Sequence, residues 1–204
     1  MPPASGFSPR KIRVSHSCMI SDSDGIVAFL QSRPDMLRIL RAVETLGLPD
    51  CWVGAGFIRN AVWGALTGQP NASSWDDVDV VYFCRSDLSP SRDQALGDAL
   101  QAVCPDVKWS VKNQARMHIG NDDQPYTDTE DALRHWPECC TAIAARCADR
   151  TIALLAPFGL DDLLSMVVRP TPSCASKMGV YRGRVDGKRW QRRWPMLRID
   201  FAPP

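Results

Sequence analysis

The chain has 204 residues, 45% of them hydrophobic and 23% charged, which suits one globular core and excludes a disordered or low-complexity protein. No apolar run reaches the roughly 18 residues of a membrane-spanning helix, and MPPASGFSPRKIRVSHSC lacks the apolar stretch of a secretory signal, so a cytoplasmic protein without membrane contact is expected. The net charge of +1 hides an asymmetry: from Arg169 onward nine Lys/Arg face two Asp/Glu, whereas the preceding residues carry 15 against 21. Either the two parts neutralise each other, or the basic segment forms a wall facing phosphate or nucleic acid.

Residues 1–30, rich in Ser and Pro, read as an irregular segment. SRPDMLRILRAVETLG then reads as a helix, with Ser32 as N-cap, Pro34 in the first turn, and Met36, Leu37, Leu40, Val43 and Leu46 at helical spacing before Gly47. CWVG is a short strand ahead of GAGFIRNAVWG, whose Ile58, Ala61, Val62 and Ala65 mark a helix from Phe57 to Leu66 that TGQPNASS ends. DDVDVVYFC is the clearest strand: Asp77, Asp79, Val81 and Phe83 take one face, Val78, Val80, Tyr82 and Cys84 the other. Ala95, Leu96, Ala99, Leu100 and Val103 follow as a helix, and Val107–Val111 as a strand.

Beyond Gly120 the periodicity weakens. A polar loop leads to a short helix before His135, CCTAIAARC suits strand or helix, and RTIALLAPFG contains a strand. Leu160–Val168 reads as a short helix, and YRGRVDGKRWQRRWP is basic with Trp190 and Trp194 four apart. Alternating strands and helices predict an α/β (α+β) layer, organised as residues 1–30, a domain over 31–168 and a basic C-terminal extension over 169–204. The eight cysteines include no C-x-x-C pair and read as free thiols, and His16, His118 and His135 have no zinc-ligand spacing.

Asp77 and Asp79 carry most of the chemistry. Residues i and i+2 of a strand project from one face, so the two carboxylates lie side by side while Val78 and Val80 enter the core. Their mutual repulsion asks for a divalent cation or basic partners, and magnesium suits two carboxylates that leave room for phosphate oxygens. As an isolated motif D-x-D also fits a solvated turn. Gly54 and Gly56 permit a tight strand-to-helix turn, the next helix presents free N–H groups, and Arg59 adds five donors suited to phosphate. Asn60 would orient a ribose or a carboxylate. A structural Arg59 would instead pair with Asp76 or Glu44. Lys112, Asn113 and Arg116 cluster after the later strand, with Lys112 or Arg116 for triphosphate and Asn113 for metal or ribose, or else they form a solvated turn.

GAGFIRN followed by WDDVDVVYF resembles the nucleotidyltransferase superfamily that includes polymerase β and the CCA-adding enzymes. Ala55, Gly56, Ile58, Arg59 and Asn60 look like the GG-x-V-R-D segment of the CCA-adding type, with Asn60 where that group has aspartate. More closely, GAGFIRNAVW, DDVDVVYF, WSVKNQARMH, PY, WPE, APFGLDDL, VRPTP and WPMLRI resemble a bacterial family of predicted nucleotidyltransferases of about 200 residues. The resemblance implies a polymerase β-like fold, a small mixed twisted sheet with flanking helices. It also implies transfer of a nucleoside monophosphate from an NTP, ATP foremost, to a hydroxyl or phosphate acceptor with release of pyrophosphate. Asp77 and Asp79 would hold Mg2+ (or Mn2+). Gly54, Ala55, Gly56, Arg59, Asn60, Lys112, Asn113 and Arg116 would bind the nucleotide. The superfamily's third acid has no match at Lys112 and Asn113, leaving Asp122, Asp123, Asp128 or Glu130 as candidates for it.

Two other readings compete. A nucleotide- or RNA-binding relative without catalysis would use Arg182, Arg184, Lys188, Arg189, Arg192 and Arg193, with Trp190 and Trp194 stacking on bases unless they anchor the tail to the core. A dinucleotide-binding oxidoreductase is disfavoured, because Arg59 stands where close helix–strand packing needs a small residue. The acceptor is expected to be a small molecule, with RNA as the other class. Oligomeric state is left open.

Overall fold

The computed structural model describes residues 20–69 and 75–204. The first element is a helix, α1 (Ser23–Gln31), so the expectation of irregular chain to residue 30 is corrected there; residues 1–19, with His16 and Cys18, lie outside the described residues. Asp22 caps α1 by accepting a hydrogen bond from the Gly25 N–H, and Ile26 and Leu30, one turn apart, are buried. In α2 (Pro34–Glu44) proline opens the first turn, but Arg33 rather than Ser32 is the N-cap residue.

β1 (Trp52–Gly54) leads into α3 (Gly56–Leu66), and β2 (Val78–Tyr82) connects through α4 (Pro90–Val103) to β3 (Trp109–Asn113). The last of these sits two residues later than the hydrophobic pattern suggested. Short helices α5 (Met117–Asn121) and α6 (Thr129–Arg134) precede the hairpin β4 (Ala144–Ala148) and β5 (Thr151–Leu155). Its two-residue turn places Asp149 and Arg150 at φ 48° and 67°, matching the strands' twist. α7 (Asp161–Leu164) is shorter than the expected helix over 160–168, because Met166 takes φ 55° and Val167–Val168 becomes β6. The chain ends with α8 (Pro172–Ala175), α9 (Met178–Lys188), α10 (Trp190–Arg193) and β7 (Arg198–Ile199), which pairs with β6 in parallel.

The main sheet has the order β3-β2-β1-β4-β5. β1 runs antiparallel to β2 and β4, while β2 and β3 are parallel across the α4 crossover, giving the mixed sheet with flanking helices. The alternation read in β2 holds. Val78, Val80 and Tyr82 join the main core with Val53, Ile58, Val62 and Leu40, whereas Val81 packs on the opposite face with Trp52, Leu133 and Ala144. Trp63 of α3 is fully buried and receives Trp190 and Trp194 edge-on at centroid distances of 6.5 and 5.1 Å. Each such contact is worth about 0.5–1.5 kcal/mol beyond burial. The basic C-terminal segment is thereby fixed against α3, and its indoles anchor it rather than remaining free to stack on bases. The seven cysteines among the described residues are free thiols, and no described helix is long and apolar enough to cross a membrane.

Candidate active site

The site begins at the β1–α3 turn. A Cβ on Gly54 would meet the Trp136 ring at 3.1 Å and the Ile143 carbonyl at 3.2 Å, so this glycine serves packing across β4; it lines neither cleft described below. Ala55 takes φ 55°, ψ −125°, a combination side chains rarely adopt, and its N–H donates to the Ile143 carbonyl. Ala55 is also the N-cap of α3 and supplies no side-chain acceptor to the first-turn N–H groups. At Gly56 an added Cβ would find only ordinary contacts with Asn60 and Arg59, so packing does not require glycine there. A helix start of this kind, next to an open cleft, attracts anions.

Asp79 lies opposite Gly54 in the β1–β2 register and beside Ser110 in the β2–β3 register. Asp77 comes just before the strand. Trp75 ties this approach to α3 by donating its indole N–H to the Phe57 carbonyl (3.3 Å) and packing on the Phe57 ring at 5.1 Å. Burial, then the charge of Asp77, push the Asp79 pKa above the usual carboxylate value; the Ser110 hydroxyl, Lys188 and Arg184 act the other way.

Both carboxylates line a cleft of about 380 Å³ whose other walls include Gly56, Arg59, Asn60, Arg184 and Lys188. Asp76 lines it too. Arg59 is only 5% exposed and sits over the rings of Trp63 (5.2 Å) and Trp190 (4.8 Å). Its Nη1 donates to Thr141 Oγ1 at 2.7 Å, and its Nε and Nη2 donate to Asn60 Oδ1 at 3.2 and 2.9 Å. Among the described residues no carboxylate pairs with it, so the salt bridge to Asp76 or Glu44 is absent, and burial pulls its pKa down. The nearby charges of Glu138 and Asp79 act against that pull without a direct contact.

A second cleft of about 490 Å³ adjoins the first, lined by Val81, Lys112, Gln114, Met117, Trp136 and Lys177 among others. Ala55, Asp79, Thr141 and Arg184 line both clefts. The sequence offers Arg184 only as one of a run of basic residues, and its partner Glu138, fully buried and 46 residues away, only as part of the WPE segment without a role. A lone buried glutamate in WPECC was the available signal, and burial is not visible in sequence.

The third polar cluster divides. Lys112 is exposed on the second cleft, apart from Arg59. Asn113 is fully buried: its Oδ1 accepts from the Cys84 and Ala115 N–H groups, and its Nδ2 donates to the Cys84 and Asp87 carbonyls. It clamps a loop and has nothing left for metal or ribose, which corrects that expectation. Arg116 is committed to Asp93, which also accepts from the Tyr82 hydroxyl, and lines neither cleft. Of the four candidates for a third acid only Asp123 lines a cleft with Asp79, the second one, and none lines the aspartate cleft. Asp128 caps α6, Glu130 pairs with Arg134, Asp122 ends α5, and Asp123 is taken up by Lys177, Tyr126 and His135. No group of three or more metal-ligating residues occurs among the described residues. Two mutually repelling carboxylates nonetheless fit a magnesium ion that takes its remaining oxygens from phosphate and water.

A sequence family described as nucleotidyltransferase matches residues 41–199. Among solved structures, a protein whose NMR structure "reveals a CCA-adding enzyme head domain" superposes with a TM-score of 0.80 and 33% identity, over 89% of this chain and 97% of that one. The Thermotoga maritima CCA-adding enzyme complexed with tRNA matches at TM-score 0.55 and 15% identity, over 89% of this chain and 43% of its own. A CCA-adding enzyme in complex with CTP matches at TM-score 0.55 and 15% identity, over 88% of this chain and 43% of that one. These last two likenesses concern the fold, and the chain spans less than half the length of either enzyme. No curated protein matches the sequence.

Proposed function

Because the chain belongs to the nucleotidyltransferase family and is a nucleotidyltransferase, we propose that its reaction moves a nucleoside monophosphate from a magnesium-bound NTP to an acceptor hydroxyl or phosphate. The acceptor oxygen forms a bond to the α-phosphorus, the bond from that phosphorus to the bridging oxygen breaks, and pyrophosphate leaves. One observation carries the reading: Asp77, Asp79, the open start of α3 and Arg59, which no carboxylate contacts directly among the described residues, line a single cleft.

In this reading the first-turn N–H groups of α3 and the Arg59 guanidinium bind phosphate oxygens, and Lys188 adds charge from α9. Asn60 holds Arg59 in place. Mg2+ (or Mn2+) bound between Asp77 and Asp79 would neutralise phosphate charge and polarise the reacting group. ATP is the first donor to try. The second cleft, with the apolar walls of Val81, Met117 and Trp136 beside polar Gln114 and Lys112, suits a small-molecule acceptor better than a long polymer. RNA remains the other class, favoured only by exposed basic residues such as Arg182 and Arg189. The domain is read as 31–168 with the extension 169–204 packed on it; α1 is added to its core.

The test is magnesium-dependent thermal protection and pyrophosphate release with each NTP, comparing wild type with Asp77→Asn. Protection and turnover are expected in wild type and their loss in the variant. Wild-type turnover by Asp77→Asn would end the assignment.

A further inference from the structure

Glu138 is completely buried and, among the described residues, ion-pairs with Arg184 alone. The contact runs along one edge of the guanidinium: Nε donates to Oε1 at 2.5 Å and Nη2 to Oε2 at 3.2 Å. This two-point grip fixes the plane of the group and leaves Nη1 with no hydrogen bond among the described residues. Nor is Nη1 a buried unsatisfied atom, unlike the indole nitrogen of Trp194. A simple tether between α9 and the Glu138–Pro170 bridge would need no accessible third nitrogen.

The position of Arg184 gives that nitrogen a use. Of the four residues that line both clefts, Asp79 is the acid and Arg184 the one cation. In a transfer reaction the phosphorus must touch the donor on one side and the acceptor on the other, so it belongs at that border. Arg59, Lys188 and the start of α3 lie in the smaller cleft alone, where the rest of the triphosphate would sit.

We propose that Arg184 is a catalytic residue whose Nη1 donates to a non-bridging oxygen of the α-phosphate, and that Glu138 is the positioning residue holding it there. This rests on the nucleotidyl-transfer reading above. A guanidinium pre-set at the border stabilises negative charge where it develops, without reorganising during the reaction. Burial works against the charge of Arg184, and the bond to Glu138 more than restores it, so the group stays cationic.

The probes are the Sp and Rp diastereomers of α-thio-ATP with Mg2+, which differ only in which non-bridging α-oxygen is replaced. Arg184→Met, Arg184→Lys and Glu138→Gln are compared with wild type by calorimetric binding, with melting temperature as the fold control. Losing one charge-assisted contact should weaken binding about 10- to 100-fold in Arg184→Met. The ratio of the two diastereomer affinities should shift in the same variant. Arg184→Lys, which keeps charge and stem, should show a smaller shift of the same sign and covers the case in which methionine does not fold. Glu138→Gln should move the ratio the same way. If both diastereomers weaken alike, or neither changes, Arg184 does not touch the α-phosphate and the proposal falls. A shift in the Arg184 variants with none in Glu138→Gln overturns the positioning role. Failure of wild type to bind either diastereomer of the α-thio analogue of any of the NTPs overturns the nucleotidyl-transfer reading itself, and this proposal with it.

Discussion

Arg59→Met separates a residue kept for stability from one kept for its ligand. The arginine gains two contacts with indole faces, about 2 kcal/mol each when desolvated, at 5.2 and 4.8 Å. Its bond to Thr141 adds about 1.5–3 kcal/mol. Against this stands the several kcal/mol that a buried ion costs when no opposite charge meets it. The sums nearly cancel, and methionine keeps an apolar stem against both rings, with about 0.3–1.5 kcal/mol from sulfur–aromatic contact. The ligand-free variant should therefore stay within about 2 kcal/mol of wild type, less than its burial would suggest. Mg–ATP at 100 times its Kd should stabilise wild type by about 2.7 kcal/mol, or about 5–10 °C in a chain of this size. If the variant binds 100-fold more weakly, the same ligand concentration gives about 0.4 kcal/mol, near 1 °C. Differential scanning calorimetry with and without Mg–ATP reads both quantities. A loss above about 3 kcal/mol without ligand, with the wild-type ligand shift intact, would refute the reasoning and leave Arg59 a structural residue.

Two further predictions concern the same turn and strand. Burial and Asp77 raise the Asp79 pKa above its ordinary 3.8, so the native state binds more protons than the unfolded chain in the window above that value. Stability should fall as pH rises through the window and stay lowered above it; Asp79→Asn should remove that loss, making the ligand-free protein more stable at neutral pH while disabling it. Urea denaturation from about pH 4 to about pH 8 checks this, and a variant less stable than wild type at neutral pH would contradict it. Ala55→Gly should relieve a backbone strain of about 1–3 kcal/mol against about 0.4–1 kcal/mol of added unfolded-state entropy. The net gain of about 1 kcal/mol, a rise of about 2–4 °C in Tm, fails as a prediction if the Tm falls.

Local chemistry made much of the fold legible and long-range packing hid the rest. The alternation in DDVDVVYF gave both faces of β2, because a strand's period of two is written in consecutive residues. The α1 helix was missed because its buried stripe has only Ile26 and Leu30 in one short window. Asn113 was misread because an asparagine after an apolar strand looks the same whether it clamps a loop or awaits a ligand; four hydrogen bonds decide the matter. The packing demand at Gly54 was hidden in the same way, since the ring that requires a glycine there belongs to Trp136, far along the chain.

The opposite charges of the two parts of the chain have a more specific outcome than either reading of the sequence allowed. Arg169, Lys177 and Arg184 meet Asp162, Asp123 and Glu138, so part of the basic excess is spent on defined acids in the preceding segment. Lys188 and Arg193 also line the aspartate cleft, where Lys188 opposes the upward shift of Asp79. Only the placement of α9 and α10 permits both uses, and Trp190 and Trp194 set that placement by packing on Trp63, one helical turn beyond Arg59. The indoles thus couple the C-terminal segment to α3. A change that loosens them should disturb Arg59 and Lys188 together, although neither tryptophan is itself a charged group.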